Sequence, residues 1–220
     1  MEIQKFIENH RDDINSQSFE NVYDNVLDSL SINNLSKFTE LLYKCGIDPL
    51  EHMTKIPVGF AYGSSLKNIK IPNSITFIGA WAFAYCIALT SMTIPDSVTT
   101  IGNSAFESCF GLTSVTIGNG VTSIGDSVFS GCSGLISAAI GNSVTSISYQ
   151  AFYNCRSLTK VTIPDSVTTI GPDAFYNCMS LKAINYSGSK KQWELIKKRL
   201  NWKNKSLIQI IHCLDGDITL

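Results

Sequence analysis

The 220-residue sequence is poor in charge, with 16% Asp, Glu, Lys and Arg, and its formal net charge is -1. That balance excludes a global field steering nucleic acid or an anionic membrane, so any such effect must come from a local patch. No stretch reaches the roughly 20 uninterrupted apolar residues of a membrane span. Histidines number three, His10, His52 and His212, in three separate regions, and no Cys-x-x-Cys or paired-histidine spacing occurs. Metal sites of the usual kinds are therefore not expected. The phosphate-cradling glycine loop and the nucleophile elbow are missing too. No catalytic residue, cofactor site or metal site is assigned, and the chain is expected not to be an enzyme.

The start, Met1 to His10, carries acidic residues where a secretory signal would carry basic ones, with no apolar run behind them. The expected location is cytoplasmic, with surface display or secretion by another route as the alternative.

What is present is a period. One 23-residue phrase begins at Ile71, Ile94, Ile117, Ile140 and Ile163 without insertion or deletion. Phe83, Phe106, Phe129, Phe152 and Phe175 fall in register, as do Cys86, Cys109, Cys132, Cys155 and Cys178, and then Leu89, Leu112, Leu135, Leu158 and Leu181. A fixed period of that length predicts a solenoid whose coils bury their inward residues only against their neighbours. Each coil reads as a short Leu-x-x-Val-x-Ile strand, a Pro-Asp-Ser turn, a bend at a glycine such as Gly102, and an Ala-Phe-x-x-Cys return. A degenerate copy precedes the five, visible in Ile56, Phe60, Leu66 and Ile69. It is one residue short, and its Gly59 is read in the alanine position. The fourth copy has Ser148 in place of the glycine, which predicts an altered bend.

The five in-register cysteines predict a ladder of buried thiols rather than disulfides. Coils about 4.8 Å apart satisfy the distance for a disulfide, but equivalent side chains point the same way rather than at each other. Asp96 and Asp165 lie three coils, or about 14 Å, apart at that spacing. A carboxylate pair acting across one bond must be closer.

Residues 1–54 have a different texture: no glycine precedes Gly46, and the apolar residues follow a helical period. Ile3, Phe6 and Ile7 suggest one short helix. Phe19, Val22, Tyr23, Val26, Leu27 and Leu30 suggest a second, beginning after Ser18. A third, with Leu35, Phe38, Leu41 and Leu42, ends at Cys45-Gly46, and Asp48-Pro49 opens a last turn through Met53. This segment is either a cap on the first coil or a separate partner-binding module. Residues 186–220 break the period. Ser189 and Gln192 form a capping box, Trp193, Ile196 and Leu200 are expected to make a buried stripe, and Asp215-Gly216 turns a closing hairpin. The tail holds seven of the seventeen basic residues. Nucleic-acid binding with stacking by Trp193 or Trp202 is weighed against a solvated basic face, and nucleic acid is not the expected partner.

The phrase Ile-Pro-Asp-Ser-Val-Thr-Thr-Ile-Gly-x-x-Ala-Phe-x-x-Cys-x-x-Leu-x-x-Val-Thr, at Ile94 and nearly again at Ile163, resembles the BspA-like leucine-rich repeat family. That resemblance implies an α/β repeat fold: a right-handed solenoid with a short parallel sheet on its concave face, over residues 55–185. It also implies a role in protein binding or adhesion, while residues 1–54 are read as a helical N-terminal cap over the otherwise exposed first coil and residues 186–220 as a helix-plus-strand C-terminal cap. The outward sheet residues are then the candidate partner face: Thr90, Ser91, Thr93, Thr113, Ser114, Thr116, Ser137, Thr159, Lys160, Thr162 and Lys182. Trp81, Tyr153 and Tyr176 are candidate aromatic anchors, or else cover the outer edge of the core. An effector activity in the N-terminal helices, with the repeats as targeting part, is the competing reading.

Overall fold

The computed structural model describes residues 31–220 except Cys45 and Ile47, and not the side chains of Asn33 and His52. The first two expected helices, His10 and Cys45 lie outside the described residues.

From the amino end, helix α1 (Ile32–Lys44) is followed by a single 3-10 turn, Pro49–His52. Asp48 caps that turn by accepting from Leu50 N at 2.9 Å, and Gly46 supplies the left-handed residue (φ 76°) that ends the helix. Leu35, Phe38, Leu42, Leu50 and Met53 are buried in the same cluster as Ile56 and Phe60, and Thr39 Oγ1 donates to Phe60 O at 2.7 Å. The helix thus closes the first coil through its apolar stripe.

Each coil contributes one two-residue strand, and every coil but the first a longer strand as well. The short strands are β1 (Lys55–Ile56), β2 (Phe77–Ile78), β4 (Thr100–Ile101), β6 (Ser123–Ile124), β8 (Ser146–Ile147), β10 (Thr169–Ile170) and β12 (Lys197–Lys198). They pair in parallel as β1-β2-β4 and β6-β8-β10-β12. The longer strands β3 (Ser91–Ile94), β5 (Ser114–Ile117), β7 (Ser137–Ala139), β9 (Lys160–Ile163), β11 (Ala183–Tyr186) and β13 (Ile210–Cys213) form a parallel sheet. An antiparallel edge strand, β14 (Gly216–Thr219), closes it through the expected Asp215-Gly216 hairpin. Registers such as Ser91↔Ser114↔Ser137↔Lys160 advance by 23 residues, as an uninterrupted repeat requires.

Inside the coil the phenylalanine column is a continuous stack. Successive rings from Phe83 to Phe175 lie 5.2–5.4 Å apart with interplanar angles of 2–16°. The strand spacing of about 4.8 Å places equivalent rings in the favourable offset-stacking range. Beside it the cysteines form the expected thiol ladder. Each Sγ donates to the main-chain carbonyl one coil back: Cys109 to Phe83 O, Cys132 to Phe106 O, Cys155 to Phe129 O and Cys178 to Phe152 O, at 3.0–3.2 Å.

Both ends of the stack close in the same way, and the consensus does not show it. Gly59 N donates to Ala80 O as Trp81 N does to Asn103 O, and Ala61 N to Ala82 O as Phe83 N does to Ala105 O. Gly59 therefore occupies the position of Trp81, a left-handed one (φ 67°), and not the alanine position. Phe60 stands where the other coils have alanine. The missing residue falls between Ser64, which faces the Cys86 thiol at 3.4 Å, and Leu66. At the other end Phe175 N donates to Trp202 O, so Trp202 also takes the alanine position of a seventh coil. From there Phe60 meets Phe83 at 73° and Trp202 meets Phe175 at 86°, edge-on. An edge-on ring covers the last face of a stack without exposing another one.

The glycine at the bend is required by close approach and not by backbone angle. A Cβ on Gly102 would lie 2.4 Å from Ala80 N, whereas on Gly125 its nearest contact is Asn103 Oδ1 at 3.0 Å. There the short ladder is open between β4 and β6, and Asp126 N donates to the Asn103 side chain at 3.2 Å. Tyr149 N likewise uses Asp126 Oδ1 at 3.2 Å, and Ser148 keeps its bond to Ile124 O at 2.9 Å, so the bend expected to change there is retained.

In the tail, α2 (Lys190–Leu195) carries the capping box at Ser189 and Gln192. Trp193 and Ile196 are buried, but Leu200 is 81% exposed. The helix stops at Leu195, so Leu200 lies past its end and off the expected stripe.

Candidate functional site

The predicted partner residues lie where the alternation places them, on the outward face of the long sheet. β3 and β9 alternate exposed and buried residues so that Met92, Ile94, Val161 and Ile163 enter the core. Ser91, Ser114, Ser137 and Lys160 share one cross-strand row, and Thr93, Thr116, Ala139 and Thr162 the next. Thr90, Thr113, Thr159 and Lys182 precede these rows. Two of the threonines are partly committed: Thr113 Oγ1 donates to Thr90 O at 2.9 Å and Thr159 Oγ1 to Ile136 O at 3.2 Å.

The sheet ends at β3 because residues 67–71 follow the one-residue deletion and do not continue the ladder. Lys67, Asn68 and Lys70 are therefore not part of the sheet. The mismatch opens a groove of about 400 Å³ lined by Ile69, Lys70, Ile71, Asn73 and Pro95 together with the predicted Ser91 and Thr93.

The predicted anchors separate. Tyr153 and Tyr176 stack at 5.0 Å and 10°, and Lys205 Nζ sits 5.3 Å from the Tyr176 centroid. The Tyr176 hydroxyl holds the Lys205 ammonium above its usual pKa. Trp81 is elsewhere, 43% exposed, in a cavity of about 400 Å³ shared with Ile32, Tyr62, Tyr85 and Glu107. Sequence reasoning singled out Trp81 alone of these five as a binding residue. The available signal was the departure from consensus: Trp81 and Tyr85 stand where later copies have Ser104 and Ser108, Ser127 and Gly131, Gln150 and Asn154, or Asp173 and Asn177.

The tail tryptophans belong to the core. Trp193 packs against Tyr186 at 5.2 Å and Trp202 at 6.1 Å, and Lys198 Nζ lies 4.7 Å from its ring while donating to its carbonyl. Burial lowers the Lys198 pKa, with Glu194 acting in the other direction. Lys203 Nζ donates to Ile208 O at 3.0 Å. Three tail lysines are thus engaged internally, at odds with a free basic surface carrying stacking tryptophans.

Nothing chemical is assembled among the polar groups that are described. The row of Asx side chains at the strand exits serves main-chain donors: Asp96 Oδ1 accepts from Asn119 N at 2.6 Å and Asn119 Oδ1 from Asn142 N at 2.8 Å. His212 pairs with Asp217 at 2.8 Å across the exposed terminal hairpin. Burial pushes the Cys86 and Cys178 thiols up to about 12 and raises Cys155 well above its usual value. Cys109 is likewise raised well above its usual value, first by its interaction with Cys132 and then by burial. Such thiols are packing groups and poor nucleophiles. Among the described residues no group of three His, Cys, Asp or Glu could hold a metal ion.

Parallel coils with an inward Leu, Ile, Phe and Cys set define a leucine-rich repeat solenoid of seven turns. A BspA-type leucine-rich repeat region matches residues 54–187 in six copies, and the chain belongs to that family. Among solved structures, a leucine-rich repeat protein from Eubacterium ventriosum aligns with a TM-score of 0.64 at 26% identity, over 76% of this chain and 45% of that one. A leucine-rich cell surface protein from Faecalibacterium prausnitzii aligns at 0.50 and 29% identity, over 67% and 55%. A leucine-rich repeat protein from Bacteroides ovatus shares the fold at 0.51 and 24% identity, over 74% and 48%. The chain spans about half the length of these structures. No curated protein matches it.

Proposed function

We propose that the chain is a non-enzymatic binding module that recognises a protein partner through the outward face of its long sheet. The observation that supports this is the pair of in-register rows running from β3 to β9, a flat polar surface built by the period itself. Leucine-rich repeat proteins generally mediate protein interaction, which agrees with this use. The face is rich in Ser and Thr and poor in Trp, Tyr and Arg, which fits a polar, modest-affinity contact. Thr93→Glu combined with Thr116→Glu and Thr162→Glu places charges along one row without touching the core. The expected outcome is an unchanged unfolding midpoint and loss of the partner captured by the unaltered protein from its native cell. Capture of the same partner by both forms argues against the sheet face.

A second reading, presentation at a cell surface, draws on the Faecalibacterium protein described as a leucine-rich cell surface protein. The competing location is the cytoplasm. Fractionation of the native cell followed by protease shaving separates them: digestion of the protein on intact cells supports display, and protection supports an internal location.

A further inference from the structure

We propose that Tyr62, Trp81 and Tyr85, with Glu107, form a binding site for a quaternary ammonium group. Three aromatic side chains and one carboxylate line the same cavity of about 400 Å³. Tyr62 and Tyr85 are inclined at 55° with centroids 5.3 Å apart, which makes a corner rather than a closed stack. Trp81 and Tyr85 remain 43% and 40% exposed. Aromatic faces attract a cation through the ring quadrupole, most strongly for Trp, and desolvated cages of this composition suit methylated ammonium groups. A quaternary head offers no hydrogen-bond donor to satisfy, so it gains from the rings and from Glu107 without leaving a donor unpaired in an apolar cavity.

Two further observations point to a ligand. Trp81 and Tyr85 hold left-handed backbone angles, φ 52° and 59°. The same angles recur at these positions in the later coils, which fill them with Ser, Gly, Gln, Asn or Asp, so what sets this coil apart is two large aromatic side chains where the repeat uses small or polar ones. Secondly, among the described residues no group pairs with the half-buried Glu107 carboxylate. The same chain shows what such rings accept: beside the half-buried pair Tyr153 and Tyr176, the Lys205 ammonium sits 5.3 Å from the Tyr176 centroid.

The test titrates the full chain with choline and with 3,3-dimethylbutan-1-ol, its neutral isostere in which carbon replaces nitrogen, following indole N–H resonances by NMR. Choline is expected to shift the Trp81 signal saturably, with the isostere weaker by several-fold to about thirtyfold. Glu107→Gln should weaken choline several-fold, Trp81→Ala should remove the response, and Tyr176→Ala should leave it unchanged. Unfolding midpoints of the variants check that the fold is intact, and Glu107→Gln, which alters no core packing, keeps the test informative if Trp81→Ala is damaged. A trimethyllysine peptide in a parallel titration distinguishes a protein side chain, bound more tightly than choline, from a free cation, bound equally. Equal binding of choline and its isostere, absence of a saturable shift, or an unchanged response in Glu107→Gln overturns the proposal.

Discussion

Phe129→Ala probes the core of the array at its centre. The ring is fully buried and stacked on both faces, 5.4 Å from Phe106 at 12° and 5.4 Å from Phe152 at 16°. Phe-to-Ala changes in cores cost about 3–5 kcal/mol, and the cost grows with the cavity that cannot collapse. Here the neighbouring rings are fixed by their own coils and by the thiol bonds one position along, so little relaxation is available. The loss of two offset stacks adds to the transfer term. About 4–5 kcal/mol is therefore expected. Urea denaturation followed by circular dichroism reads it as a lower midpoint. Because each coil touches only its neighbours, a break at the centre should also uncouple the two halves and lower the apparent slope. Phe110→Ala is the control, since Phe110 is 50% exposed and should lose under about 1 kcal/mol. A Phe129→Ala cost below about 1 kcal/mol, or equal costs for the two variants, would refute the reasoning.

Three other outcomes follow from the same geometry. Gly102→Ala forces a Cβ to within 2.4 Å of Ala80 N and should lower stability by at least about 2 kcal/mol, while Gly125→Ala, where the ladder is open, should cost clearly less; parallel denaturation curves compare them. The Cys86 and Cys178 thiols ionise near pH 12 in the fold and near pH 9 when unfolded, so the stability they confer is fully present below pH 9 and is lost as pH rises towards 12. The slope is up to about 1.4 kcal/mol per pH unit for each thiol, and Cys178→Ala should flatten the alkaline fall in denaturation midpoint by one such share. Ser189→Ala removes the capping box of α2 and should cost about 0.5–2 kcal/mol, read by thermal unfolding.

The period and the Phe, Cys and Leu columns were legible because a solenoid writes each inward position once per coil. The capping box at Ser189 and the Asp215-Gly216 hairpin were legible for a different reason, since both are local signals complete within a few residues. The two end coils were not. Phe60 and Trp202 each serve the stack from the alanine position, and only hydrogen bonds to the next coil reveal the shift. Gly102 was assigned to a bend, although its requirement comes from Ala80 in another coil. Leu200 carried the helical period past a helix that had already ended. Alternation along the strands gave the cross-strand rows of the long sheet, but the cavity around Trp81 depends on Tyr62, whose coil is out of consensus register, and on Glu107, unremarkable in its own copy.

The central claim is that the inward columns shared between copies hold the solenoid, while the aromatic departures at Trp81 and Tyr85 serve a cation site and not the fold. The most direct measurement is one choline titration and one denaturation curve on Trp81→Ser combined with Tyr85→Ser, which installs the residues of the following copy. Near-unchanged stability is expected, because both aromatics are partly exposed and Ser104 and Ser108 hold the same left-handed angles in the following copy, together with loss of choline binding. Retained binding with a destabilised fold would contradict it.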